Sequence, residues 1–189
     1  MTELDNYQKE KLTISIVDAN IFSLLLLFPT IIAFGIPFYF IWKSELNVFN
    51  MLHSVNSMWV NLIILVGGII AHELIHGIVF SIFAKRGFKS IKFGVVWKFL
   101  MPYCHCSEPL KVKHYILGGI TPAIILGFIP AIVAIFTGSF GLLVFGIVFT
   151  IAASGDFLII RLLWKENPNN FVEDLPSEAG CFIYRKIEN

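Results

Sequence analysis

Four apolar stretches, roughly Ile21–Trp42, Met58–Ala84, Tyr115–Phe136 and Ser139–Trp164, each reach the length of about 20 residues that a helix needs to cross a hydrocarbon core. In lipid every backbone N–H and C=O has to be satisfied within the chain, so such stretches can only be helices here. The fold class that follows is an all-α polytopic membrane protein, with about four transmembrane helices and a small β-hairpin or sheet. Composition agrees: of 189 residues 57% are hydrophobic and only 14% charged, with a mean hydropathy of +0.79, outside the range of water-soluble domains. No repeat, low-complexity tract or linker interrupts residues 1–189, which read as a single membrane domain. The net charge is +1, and no basic stripe is interleaved with aromatics. Nucleic acid is therefore excluded as a partner, and the lipid bilayer is the expected one.

Orientation follows from Lys and Arg. With four spans and the N-terminus inside, one side receives thirteen of the fourteen basic residues, including the seven between Lys85 and Lys113; the other side keeps only Lys43. The positive-inside rule then makes both termini and the central loop cytoplasmic. The first apolar run is too long, and ends with too few small residues, for a cleaved signal, so it is expected to remain as an anchor. Cys104, Cys106 and Cys181 would face a reducing compartment without disulfides.

Pro29 and Pro37 are expected to kink the first helix. The loop 88–110 is rich in strand-forming residues from Phe88 to Val95 and from Trp97 to Cys106, broken near Gly94 and Pro102, and is predicted to be a hairpin at the membrane interface. Leu12–Val17 and Cys181–Tyr184 are short strand-like pieces on the same side. Together with the hairpin they could form a small cytoplasmic sheet.

The second stretch contains His72-Glu73-Leu74-Ile75-His76. Helical positions i and i+4 lie about 40° apart, so His72 and His76 offer two imidazoles to one metal, and Glu73 stands beside them to activate a bound water. Imidazole suits zinc, and a catalytic zinc takes three protein ligands. A carboxylate near the bilayer centre costs about 2.5–3.5 kcal/mol on insertion scales, so an ionisable trio there is expected to work rather than decorate.

A third ligand is needed, and Asp156 is the only other acidic residue well inside a predicted span. His76 lies nine residues before Lys85 and Asp156 nine before Lys165, each about 13 Å along its helix. In the four-span arrangement the two helices run in the same direction, which puts Asp156 level with the histidines. Gly155 would let the helices approach. Alternatively Asp156 pairs with Ser154 or caps a broken helix. Cys104, His105, Cys106 and Glu108 could form a separate metal site, although one C-x-C pair is a weak signature; His105 could instead meet substrate or the site's water. His53 and His114 read as ordinary interfacial residues.

This order of elements, His72-Glu73-x-x-His76, a hairpin-like loop, a further helix and then Asp156, resembles the core of the site-2 protease class of intramembrane zinc metalloproteases. The His-Glu-Leu-Ile-His-Gly start, the Tyr103-Cys104-His105-Cys106 segment before Glu108-Pro109-Leu110, the Ser154-Gly155-Asp156 element and the tail Leu175-Pro176-Ser177-Glu178-Ala179-Gly180 are similar to a bacterial family described as putative zincin peptidases. The site-2 pattern has Leu-Asp-Gly with an upstream Asn and Pro, whereas here Gly155 precedes Asp156. Gly118-Gly119-Ile120-Thr121-Pro122 could supply the polar contacts of that Asn.

The expected function is that of an intramembrane zinc metallopeptidase in the bacterial cytoplasmic membrane, cleaving membrane-protein or peptide substrates near the cytoplasmic face. His72, His76 and Asp156 hold Zn2+, and Glu73 is general base and then acid. The alternative is a metal-binding membrane protein without peptidase activity, a carrier, sensor or scaffold. Little polarity beyond Asn61 in the non-cytoplasmic halves of the helices argues against a carrier.

Overall fold

A computed structural model describes residues 6–45, 58–97, 101–175 and 179–187. His53, residues 98–100 of the loop expected to be a hairpin and the tail residues 176–178 lie outside the described residues. Among the described residues three helices are long and apolar enough to cross a membrane, Val17–Trp42, Met58–Phe83 and Val112–Thr137, and a pair bent by 44°, Phe140–Ala152 with Ser154–Leu163, makes up to a fourth. Large apolar side chains along them, such as Leu24, Phe28, Phe40, Ile63 and Ile82, point outward. Lipid is the environment that accommodates so much outward-facing apolar surface.

The first span comprises α1 (Ile16–Thr30), a π-helical segment at Ile31–Gly35 and α2 (Ile36–Trp42); α3 is Met58–Phe83. The third comprises α4 (Val112–Pro122), a second π-helical segment at Ala123–Phe128 and α5 (Ile129–Thr137). Each wide segment ends directly before an Ile-Pro pair, Ile36-Pro37 and Ile129-Pro130. A proline ring clashes with the carbonyl four residues back, here Ala33 and Leu126, and both carbonyls lie inside the widened turns, where the clash is relieved.

The fourth span is not the continuous helix expected over 139–164. It is α6 (Phe140–Ala152) and α7 (Ser154–Leu163), broken at Ala153. Ser and Asp favour the first turn of a helix over its middle, and Ala-Ser-Gly-Asp therefore restarts the helix with Asp156 in its first turn.

Contacts divide the chain into two compact units. One holds residues 20–72 and 122–154, with Phe38, Ala134 and Leu143 at its core. Gly127 and Gly146 bring α6 against the second π-helical segment: a Cβ on Gly146 would lie 2.6 Å from the Ala131 amide and 2.7 Å from the Gly127 carbonyl.

The other unit holds residues 1–19, 73–121 and 155–189 and contains two antiparallel sheets. Strands β1 (Tyr7–Thr13), β4 (Leu110–Lys111), β5 (Phe171–Asp174) and β6 (Gly180–Lys186) form the larger, in the order β1-β6-β5-β4. The strand expected at Leu12–Val17 ends earlier, because Ser15 Oγ accepts a hydrogen bond from the Asp18 N–H at 3.0 Å and starts α1. Gly180, with φ 150°, admits the Leu12 carbonyl within 2.2 Å of where a Cβ would stand, which fixes β6 on β1. Val172, Cys181, Ile183, Leu110 and Leu163 form the core with Phe80 and Tyr115.

The smaller sheet is the predicted hairpin, β2 (Ile91–Val96) with β3 (Met101–Cys106). Its strands begin after a 3-10 turn at Gly87–Ser90, so Phe88 to Ser90 are not strand. They also run through Gly94 and Pro102, which pair with Tyr103 and Val95, instead of breaking there. The Ser107 N–H bonds the Ser90 carbonyl at 2.8 Å, and alternation from that pair turns the backbone groups of residues 102, 104 and 106 away from β2. Pro102 therefore forfeits no ladder bond. Gly94 leaves room for the Tyr103 ring, which a Cβ would meet at 2.5 Å.

Candidate metal centre

The helix α3 carries His72, Glu73 and His76 within a little more than one turn, and α7 carries Asp156. One ligand atom from each of His72, His76 and Asp156 lies within 4.8 Å of the other two. Among the described residues this is the only group of three His, Cys, Asp or Glu gathered closely enough to hold a metal. His76 is buried. Its Nδ1 is 3.0 Å from the Gly118 carbonyl, which can only accept, so Nδ1 is the donor there and Nε2 is the nitrogen left for a metal. Nε2 faces Asp156 Oδ1 at 3.3 Å.

Aromatic packing holds that imidazole in place. Phe80 stacks on His76, centroids 5.8 Å apart and planes 13° apart, and Tyr115 stacks on Phe80 at 5.3 Å. A Cβ on Gly118 would stand 2.2 Å from Phe80, so glycine at 118 both offers the carbonyl and admits the ring. At Gly77 the hairpin presses on α3, with Phe93 Cζ 2.6 Å from where a Cβ would be. Burial raises the Cys104 thiol, with the negative charge of Glu73 adding to it. The close approach expected of Gly155 is not made: a Cβ there would meet nothing within 4 Å.

A family model described as "Putative zincin peptidase" matches residues 65–171, more than half of the chain. The chain belongs to this family. No curated protein matches the chain, and no solved structure does. The stretch shared with the zincin family takes in His72, Glu73, His76, Asp156 and the whole hairpin, and stops within β5.

Membership implies zinc, and the residues fit it. Two imidazoles and a carboxylate are a zinc donor set, and donors about 2.0–2.2 Å from a tetrahedral zinc are about 3.3–3.5 Å from each other, which the His76–Asp156 separation matches. The Nδ1–H bond to a backbone carbonyl is the support that zinc-binding histidines commonly have.

The second cluster weighed in the sequence is put to other uses. Glu108 bonds the Arg86 side chain and, at 2.7 Å, the Lys85 N–H. Burial pushes the Cys106 thiol up to about 11 and that of Cys181 to about 12, which disfavours the thiolate a metal needs. His105 Nδ1 lies 3.6 Å from Asp174 Oδ2. His114 stacks on Phe83 at 4.0 Å. Thr121 spends its hydroxyl on the Leu117 carbonyl, so of that third-span element it is the Gly118 carbonyl that reaches the site. Sequence reasoning missed Gly77, Tyr115 and Asp174. A glycine following the motif was a usable signal for the first; Tyr115 and Asp174 are 59 residues apart and carried none.

Proposed function

We propose that the chain is an intramembrane zinc metallopeptidase that hydrolyses peptide bonds of membrane-associated proteins near the cytoplasmic face. The observation that carries this reading is the gathering of His72, His76 and Asp156 donors within 4.8 Å, one residue from Glu73 and inside an apolar span. Zinc, when bound by these three side chains, supplies a Lewis acid that polarises a peptide carbonyl and makes water acidic enough to ionise near neutral pH. Glu73 does the proton work: its carboxylate takes the proton from the attacking water and returns it to the nitrogen of the leaving amine. His76 keeps its orientation through the Gly118 carbonyl, so Nε2 need not be reordered during turnover.

A helical substrate hides its carbonyls and has to unwind before attack. The outward edge of β3 is suited to receive the unwound segment by strand addition. Pro102 lacks an N–H and the Cys106 N–H is taken by Asp174 at 2.8 Å, which leaves the Cys104 N–H as the amide donor on that edge. The thirteen-to-one division of basic residues supports a cytoplasmic opening.

Glu73→Gln tests the assignment. Cleavage of a membrane-protein substrate should fall by about 10²–10⁴-fold, with zinc retained. Undiminished cleavage by the variant contradicts the role of Glu73, and a wild type that binds zinc but cleaves no membrane protein favours a carrier or sensor.

A further inference from the structure

Asp174, the last residue of β5, joins three elements at once. Its Oδ1 accepts a hydrogen bond from the Tyr115 hydroxyl at 2.5 Å, its Oδ2 accepts one from the Cys106 N–H at 2.8 Å, and His105 Nδ1 is 3.6 Å from Oδ2. The side chain is only 13% exposed, and burial raises its pKa. Stability alone gives little reason to keep a carboxylate here, since buried charged groups can often be replaced by apolar residues of similar volume without loss. What the carboxylate holds is more telling. Tyr115 stacks on Phe80 and Phe80 on His76, and Tyr115 lies one turn before Gly118, whose carbonyl fixes His76 Nδ1. On the hairpin side, Cys106 ends β3, and the partner strand β2 lays Phe93 and Ile91 against Gly77 of α3, the residue after His76.

We propose that Asp174 is a positioning residue for the metal centre, holding Tyr115 and strand β3 so that His76 keeps the orientation the site requires. The inference rests on the zinc reading above. It adds a residue beyond the stretch that the family model matches.

The test is zinc affinity of the full-length chain in detergent micelles, measured by competition with a chromophoric chelator, for wild type, Asp174→Asn, Tyr115→Phe, the double variant and Glu173→Gln. Loss of outer support typically costs about 10–100-fold in metal affinity, and that is the drop expected for each of the two single variants. The double variant should be no weaker than the weaker single one, because both remove the same contact. Glu173 projects to the opposite face of the same strand, where its carboxylate bonds Tyr184 at 2.5 Å and Lys9 at 3.4 Å. Glu173→Gln should therefore keep wild-type affinity, although it also disturbs β5. If Asp174→Asn does not fold, Tyr115→Phe decides, since it keeps the stacked ring. Unchanged affinity in Tyr115→Phe and Asp174→Asn, or an equal loss in Glu173→Gln, overturns the role of Asp174 alone. A wild type that binds no zinc overturns the underlying reading as well.

Discussion

Gly146 and Gly155 both sit in helices of the fourth span, and a methyl group at each should have opposite effects. At 146 the added carbon would meet backbone, the Ala131 amide and the Gly127 carbonyl, neither of which can rotate away. Overpacking of this kind costs about 1–3 kcal/mol, whereas alanine's helix propensity returns about 1 kcal/mol. Gly146→Ala should lower the thermal midpoint in detergent, and Gly155→Ala, which meets open space, should leave it unchanged or raise it. A lower midpoint for the second variant, or a higher one for the first, contradicts the packing described. At this scale the candidate metal group was legible, because imidazoles and carboxylates are rare within apolar spans and His72, His76 and Asp156 stand out there. The Gly118–Pro122 element also stood out, but that its Gly118 carbonyl, not the Thr121 hydroxyl, meets His76 was not readable, since a backbone carbonyl carries no residue-type signal.

Among the elements, the hairpin is tied to the end of α3 by Glu108, whose carboxylate meets the Arg86 side chain and the Lys85 amide. The Arg86 hydrogen bond is the main cause that lowers its pKa from 4.5 to about 2. A carboxylate depressed in the folded state stabilises it above the unfolded value, and that contribution fades as pH falls towards the folded one. Wild type should therefore lose more thermal stability than Glu108→Gln between pH 4.5 and about 2; parallel losses in the two proteins would place the acid sensitivity elsewhere. The hairpin itself was readable from its β-branched and aromatic residues, but its continuity through Pro102 was not, because only the register shows that this position needs no ladder bond. Likewise a kink was expected of Pro29 and Pro37 in the first span, while the widened turns before Pro37 and Pro130 depend on how each clash is relieved. The sheet order β1-β6-β5-β4 joins the two ends of the sequence, and such distant pairings leave no local pattern.

For the molecule as a whole, hydropathy disclosed the class, with three to four candidate spans where four were expected, and depth counting between His76 and Asp156 anticipated their meeting at 3.3 Å. The break at Ala153 adds what counting could not: it begins a new helix with Asp156 in its first turn. The central claim is that these side chains, together with His72, hold a catalytic zinc within the membrane-spanning helices. Its most direct test is the metal content of purified full-length protein, wild type beside His72→Ala and Asp156→Ala. Wild type should carry about one zinc per chain, His72→Ala close to none, and Asp156→Ala a fraction that a mild chelator strips away. A wild type without zinc, or an Asp156→Ala variant that holds it as firmly as wild type, would contradict the site.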